Sequence, residues 1–267
     1  MLFDTHCHLN FEAFDNQVKT VIDRAKRAGV GYFLVPGSNL PTSQRAINLA
    51  QKYQNVFAAV GVHPHHAQDQ TNFKKLENLI KDPQAVAVGE IGLDYHQYRQ
   101  TKYENYQVDE AFKNQQRELF QNQLKLAQKY QKPVIFHNRE AKKDMLAILE
   151  KNWHKSFSGH TVFHCCEPDE ELLDFAQKRQ MFIGVDGDVT YWTKKQRFIK
   201  SVPLAWLVLE TDSPYLTPEP IRQEKSFPNE PKNLKIIAET VAKIKDISLE
   251  KVIEQTKANA FSLFNLN

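Results

Sequence analysis

Short apolar runs, rich in β-branched and aromatic residues, alternate along the chain with longer stretches in which apolar residues recur at helical spacing. The runs cover residues 2–5, 31–36, 56–62, 85–91, 133–137, 161–165, 181–185 and 206–210, which predicts eight strands. The helical patterns between and after them cover 18–28, 43–53, 73–80, 112–130, 141–153, 169–179 and 194–201, with a last helical region over 234–243 and 249–264. Eight strand-then-helix units imply parallel strands. Right-handed crossovers then close the sheet into a (β/α)8 TIM barrel, with a doubly wound open sheet as the alternative. Three irregular segments, 96–110, 186–193 and 213–231, are expected to be loops over a site on the C-terminal face of the strands.

The length of 267 residues suits one barrel domain spanning 1–267. Hydrophobic residues make up 41% and charged residues 25%, an ordinary globular composition. A net charge of +3 excludes a strongly basic nucleic-acid coat and leaves room for a local basic rim. Two of the three cysteines, Cys165 and Cys166, are adjacent and the third is Cys7, which argues against a disulfide framework and suits a reducing compartment. The first residues lack a basic stretch followed by an apolar run, and no apolar run reaches the roughly 18 residues of a membrane span. The expectation is a cytoplasmic protein with no membrane association and no evident protein partner.

Of ten histidines, six (His6, His8, His63, His65, His137 and His164) fall at or just beyond predicted strand ends, as do Glu90 and Asp212. In a parallel barrel those ends share one face, so residues far apart in sequence converge. His6 and His8 are spaced i, i+2 in extended chain and can grip one ion, while Asp4 can orient a ligand or hydrogen-bond within the barrel mouth. Glu90 sits in an apolar strand, where a carboxylate is costly unless paired with a group such as Arg139 or bound to metal. Its two oxygens can bridge two cations roughly 3.5–4 Å apart. His137 and His164 end neighbouring strands. Taken singly, each of these residues has an unremarkable alternative as a core histidine, a buried ion pair or a strand cap. Together the hard carboxylate oxygens and the imidazoles suit Mg, Mn or Zn. Such a site fits hydrolysis by a metal-activated water, with Asp212 and Glu90 as the catalytic carboxylates.

Glu210, i−2 from Asp212, is expected either among the substrate contacts or holding a neighbouring group in place. His63, His65 and Arg139 are candidate phosphate contacts, Arg139 through a bidentate fork, although His63-Pro64-His65 can equally be a fixed turn. Tyr95 and Tyr215 can stack on a base or simply pack. Cys165 and Cys166 are read as small packing residues.

The segments Asp4-Thr-His-Cys-His8-Leu, Gly61-Val-His-Pro-His65, Gly89-Glu-Ile-Gly-Leu-Asp-Tyr95, His137-Asn-Arg-Glu-Ala141, His164-Cys, Glu210-Thr-Asp-Ser-Pro-Tyr-Leu216 and Asn229-Glu-Pro231, in that order, resemble the TatD-like deoxyribonuclease family of metal-dependent hydrolases. The resemblance spans nearly the whole chain. It implies an amidohydrolase-type TIM barrel with metal ligands at His6, His8, Glu90, His137, His164 and Asp212, and Glu90 shared between two divalent ions. It implies phosphodiester hydrolysis, with DNA, single-stranded or at strand ends, as the partner. A deacylase, such as one acting on D-aminoacyl-tRNA, or another esterase or amidase of the same fold is the alternative. Two departures fall in rim loops: Cys166-Glu167-Pro168, where the family follows His-Cys with an aromatic and Ser-Gly, and Arg222-Gln-Glu-Lys-Ser-Phe-Pro228, where it tends to have Arg-Gly-Lys. Both leave the implied metal ligands intact and bear on substrate contacts.

Overall fold

Each predicted apolar run forms a strand, and the strands pair in chain order, all parallel: β1 (Leu2–Asp4), β2 (Val30–Pro36), β3 (Val56–Val60), β4 (Ala85–Asp94), β5 (Val134–Arg139), β6 (Thr161–Phe163), β7 (Phe182–Val185) and β8 (Leu207–Leu209). The structure, a computed structural model, describes residues 1–224 and 227–266. The crossovers carry α1 (Val18–Arg27), α2 (Leu40–Lys52), α3 (Phe73–Ile80), α4 (Glu110–Lys129), α5 (Lys142–Asn152), α6 (Glu170–Arg179) and α7 (Thr193–Ser201), and the chain ends in α8 (Leu234–Lys245) and α9 (Leu249–Leu263). Helix α2 begins three residues before its apolar pattern does. Asn39 and Thr42 form a reciprocal capping box there, and Pro41 occupies the first turn, where its missing N–H costs nothing.

The barrel prevails over the open sheet because β8 returns to β1. Just beyond the two strands, the Thr5 amide donates to Leu209 O (3.0 Å), the Asp212 amide to His6 O (2.9 Å) and the His8 amide to Ser213 O (2.7 Å). A parallel bridge joins Cys7 and Ser213. Asp4 reinforces this seam, as its two carboxylate oxygens accept from the Thr211 amide (3.0 Å) and hydroxyl (2.7 Å). Of the two roles read for Asp4, the structure shows bonding within the barrel mouth.

Strand alternation explains where the site lies. Phe3, Leu34, Ala59, Ala87, Ile135, Val162, Phe182 and Val208, one from each strand, pack with one another and with Ala260, Leu263 and Phe264 at the end of α9. Their neighbours on the opposite face, such as Val35, Val60, Phe136 and Leu209, join the cluster that includes helix residues such as Ile47, Leu124 and Ile237. Two residues on from Ile135, Val162 and Val208 come His137, His164 and Glu210. The strand period of two puts them on the same inner side, one layer nearer the C-terminal mouth. Glycines make room in that layer: a Cβ on Gly184 would lie 2.5 Å from Glu210 Oε1. Among the described residues no helix is long and apolar enough to cross a membrane. All three cysteines are free.

Candidate metal centre

Past the end of β1, His6 and His8 point their Nε2 atoms to within 3.3 Å of each other. Glu90, on β4, faces both, with Oε2 3.6 Å from His6 Nε2 and Oε1 3.5 Å from His8 Nε2. Asp212, beyond β8, holds Oδ1 3.7 and 3.4 Å from the same two nitrogens. His137 Nδ1 and His164 Nε2 approach Glu90 Oε2 to 3.5 and 3.4 Å. The six expected ligands therefore share one buried pocket. Asp212 reaches it from the left-handed backbone region (φ 50°), which an aspartate tolerates better than most side chains and which its amide bond to His6 O holds in place.

The spacings indicate what the pocket is built for. Direct N–H···O bonds measure roughly 2.7–3.2 Å. Two ligands that each sit about 2.1 Å from one ion at a tetrahedral angle are roughly 3.4 Å apart. The separations of 3.3 to 3.7 Å among His6, His8, Glu90 and Asp212 match the second geometry. Donor atoms close enough to share an ion form overlapping sets: His6, His8 and Glu90; His6, His164 and Asp212; and His63, Glu90 and His137. The third set brings in His63, which sequence reasoning placed with the substrate. Its Nδ1 accepts from the His65 amide (3.0 Å), leaving Nε2 free, and its ring lies 4.2 Å from that of His137.

Two further carboxylates aim the imidazoles. His137 Nε2 lies 3.1 Å from Asp94 Oδ2, which also accepts from the Tyr98 hydroxyl (2.7 Å). His164 Nδ1 lies 3.2 Å from Glu210 Oε1, which accepts from the Cys165 amide (2.5 Å). Each imidazole thus turns one nitrogen to Glu90 and the other to a carboxylate that orients the ring. Glu210 is 1% exposed, so its geometry is that of a group holding a neighbour in place. Sequence reasoning did not single out Asp94. The available signal was its i+4 spacing from Glu90 on one strand, which puts both on one face.

Burial pushes the Glu90 carboxyl up, but the imidazoles of His63 and His6 outweigh it and hold the group well below the usual carboxylate range. His6 and His63 are themselves held well below the usual imidazole range, chiefly by burial. For His137 and His164 burial opposes the charged form, yet the facing carboxylates win. Asp94 and Glu90 push His137 up to about 10, and Glu210 and Glu90 push His164 up to about 9. The carboxylate charge therefore attracts protons that a divalent cation would displace on binding.

Comparison with known proteins places the chain among metal-dependent hydrolases. Residues 3–265 match the family described as TatD related DNase. The chain belongs to the TatD family of metal-dependent hydrolases. It is 35% identical to the metal-dependent hydrolase YabD of Bacillus subtilis, over 100% of both chains. It is 34% identical to the 3'-5' ssDNA/RNA exonuclease TatD of Edwardsiella piscicida, over 99% of this chain and 100% of the relative. The crystal structure of YjjV, a TatD homologue from Escherichia coli K12, superposes with a TM-score of 0.88 at 28% identity, covering 100% of this chain and 98% of that one.

Around this centre lies a rim of aromatic and charged side chains. Arg139 is exposed, lies over the Tyr98 ring at 5.1 Å and donates to the Tyr98 hydroxyl (2.8 Å). His65 stacks on Tyr106 at 4.6 Å and stays below the usual imidazole range through burial. Tyr95 is committed to packing: its hydroxyl donates to Asp144 (2.7 Å) and accepts from Arg117 (3.2 Å). At the first departure from the family pattern, Glu167 accepts from Asn138 Nδ2 (3.2 Å) and the Glu140 amide (3.4 Å), next to Arg139. In the second departure Lys225 and Ser226 lie outside the described residues.

Behind the centre, at the end of β7, Cys165, Asp186 and Asp188 form a fourth donor group. It already contains a cation. The fully buried Lys195 of α7 places Nζ 3.4 Å from Asp188 Oδ1 and 3.6 Å from Asp186 Oδ2, and donates to Cys166 O (2.7 Å). The backbones of Cys165 and Cys166 serve this layer, the amide of one steadying Glu210 and the carbonyl of the other anchoring Lys195, while the Cys166 side chain packs in the core.

Proposed function

We propose that this TatD-family hydrolase cleaves phosphodiester bonds in single-stranded nucleic acid, DNA foremost, and that it works with two divalent cations sharing Glu90. The observation that carries the reading is that Glu90 belongs to two donor sets, one with His6 and His8 and one with His63 and His137. Asp212 and His164 meet at His6 in a third set that overlaps the first. Divalent cations held by these residues, Mg, Mn or Zn, would supply an acidified water and offset charge on phosphoryl oxygens.

The residues have separable tasks. Asp212, whose side chain is 15% exposed, is the carboxylate in this pocket most open to an incoming water and accepts its proton. Asp94 and Glu210 keep His137 and His164 turned toward Glu90. Arg139, steadied by the Tyr98 ring and without a carboxylate partner among the described residues, retains donors for a phosphate fork. His65 borders the same approach. The net charge of +3 suits a grip on a few nucleotides. The exonuclease activity in the name of the Edwardsiella relative agrees with this reading.

The test is a cleavage assay on 3′- and 5′-labelled single strands with Mg, Mn or Zn and with EDTA, run beside release from a charged D-aminoacyl-tRNA. The expected result is metal-dependent shortening of the strands, abolished by EDTA, with much slower tRNA deacylation. Strands left intact with every metal, or faster deacylation, would overturn the assignment.

A further inference from the structure

A groove of about 390 Å³ opens beside the metal centre, within the roughly 300–1,000 Å³ range of small-ligand sites. Phe11, Pro41, Pro214, Tyr215 and Phe227 form its apolar walls, and Glu12 and Arg45 are its charged residues. It is continuous with the centre. The Phe11 ring lies flat on the His8 ring, 4.2 Å between centroids and 18° between planes, and Tyr215 meets Phe11 edge-on at 6.4 Å. Tyr215 and Phe227 are 50% and 67% exposed, two of only four large hydrophobic side chains so exposed among the described residues.

Three features separate this groove from ordinary surface. The Tyr215 ring is presented, while its backbone is locked: its amide donates to Asp212 O (2.9 Å) and its carbonyl accepts from Asn229 Nδ2 (2.7 Å). A rigid, exposed ring loses little freedom when something stacks on it. Arg45, exposed on α2, has no carboxylate partner among the described residues and makes one long bond, to Asn10 O at 3.4 Å. Asp212, three residues before Tyr215, ties the groove directly to the metal-binding pocket.

We propose that this groove receives one unpaired nucleobase of the strand whose scissile phosphate lies at the metal centre, with the base stacked on Tyr215 between Phe11 and Phe227 and Arg45 on an adjoining phosphate. The proposal rests on the nucleic-acid reading above and adds a reason for preferring single strands: a base held in a duplex stack cannot enter. Stacking on an aromatic ring tolerates any base, so the groove selects strandedness and not sequence.

The test compares wild type, Tyr215→Ala and Tyr215→Phe on single strands that are intact or carry one abasic residue, stepped along from the cleaved end, in Mg or Mn. Tyr215→Ala is expected to raise KM for the intact strand about fivefold or more, and Tyr215→Phe to restore it. One abasic position is expected to raise the wild-type KM by a similar factor, and that position should make little further difference to Tyr215→Ala. Arg45→Gln should lower the slope of log KM against log salt by about 0.7, one phosphate's worth for a single strand. Wild-type cleavage with KM unchanged in Tyr215→Ala, or with variant and abasic effects that multiply fully, would overturn the base site while leaving the nuclease reading standing. Intact strands that wild type fails to cut would overturn both.

Discussion

Glu90 and Asp212, which converge on the barrel mouth from β4 and from beyond β8, and Asp186 and Asp188 at the end of β7, are both acidic pairs drawn out of solvent at strand ends, yet the fold handles their charge differently. Around Asp186 and Asp188 the chain supplies its own cation. Lys195 Nζ sits 3.4–3.6 Å from both carboxylates, and burial of the ammonium is outweighed by them, so it keeps its proton. Around Glu90 and Asp212 the chain supplies five imidazoles and, among the described residues, no ammonium, and a neutral imidazole offers a lone pair where a lysine offers only protons. Carboxylates gathered at strand ends are thus a poor sign of a metal site taken alone. The deciding feature is whether their neighbour is an ammonium that keeps its proton or imidazoles that can give a proton up and offer a lone pair.

The largest effect that bears on this difference comes from Glu90→Ala. It removes the group that both halves of the centre share. The expected outcome is loss of bound metal, measured on the purified protein by elemental analysis, and a fall in kcat/KM of roughly a thousandfold or more, equal to about 4 kcal/mol. Glu90→Gln, which keeps the shape, should fall nearly as far. Metal content and activity near wild type in both variants would place the ions elsewhere.

Next in size is Lys195→Ala, which leaves two buried carboxylates facing each other. Removing one partner of a buried ion pair costs about 3–5 kcal/mol, a fall in Tm on the order of 10 °C for a chain of this size. Burial and the Asp186 charge already push the Asp188 carboxyl up, so it takes a proton readily. The loss should accordingly be smaller at pH 5 than at pH 8. A variant as stable as wild type, or one whose loss ignores pH, would show that the ammonium is not what holds this acidic pair.

Much of this arrangement is legible in the chain itself, and the parts that are not share a cause. The eight strands, their order and their gathered ends follow from alternation of short apolar runs with helical patterns, because a parallel barrel repeats one unit and each repeat is local. The pattern ends β4 at Ile91, whereas the strand runs to Asp94 through Gly92 (φ 150°). Glycine usually weakens a strand, but here a Cβ would lie 2.0 Å from His137 O, so its absence lets β4 and β5 approach. The Asp94–His137 and Glu210–His164 pairings span 43 and 46 positions, and the Lys195–Asp186 contact depends on how α7 returns to β7. Local periodicity carries no information on such partners. His63 illustrates the same limit, since its place beside Glu90 depends on which nitrogen the His65 amide occupies.

The last effect sharpens the comparison through pH. In metal-free protein His137 and His164 titrate at about 10 and about 9, against an ordinary imidazole value near 6.5 in the unfolded chain. Folded-state values raised in this way add stability that is complete below about pH 6.5, shrinks as pH rises and is gone above about 10. The EDTA-treated protein should therefore lose Tm steadily between pH 6.5 and 9. With saturating Mg the two imidazoles have already given up their protons, so this contribution to the fall should vanish. Asp188 and the other distant groups titrate alike in both forms and cancel in the difference. Parallel Tm curves with and without metal across this window would mean that these imidazoles do not exchange protons for the ion, and that the pocket is closer in kind to the Lys195 cluster than its geometry indicates.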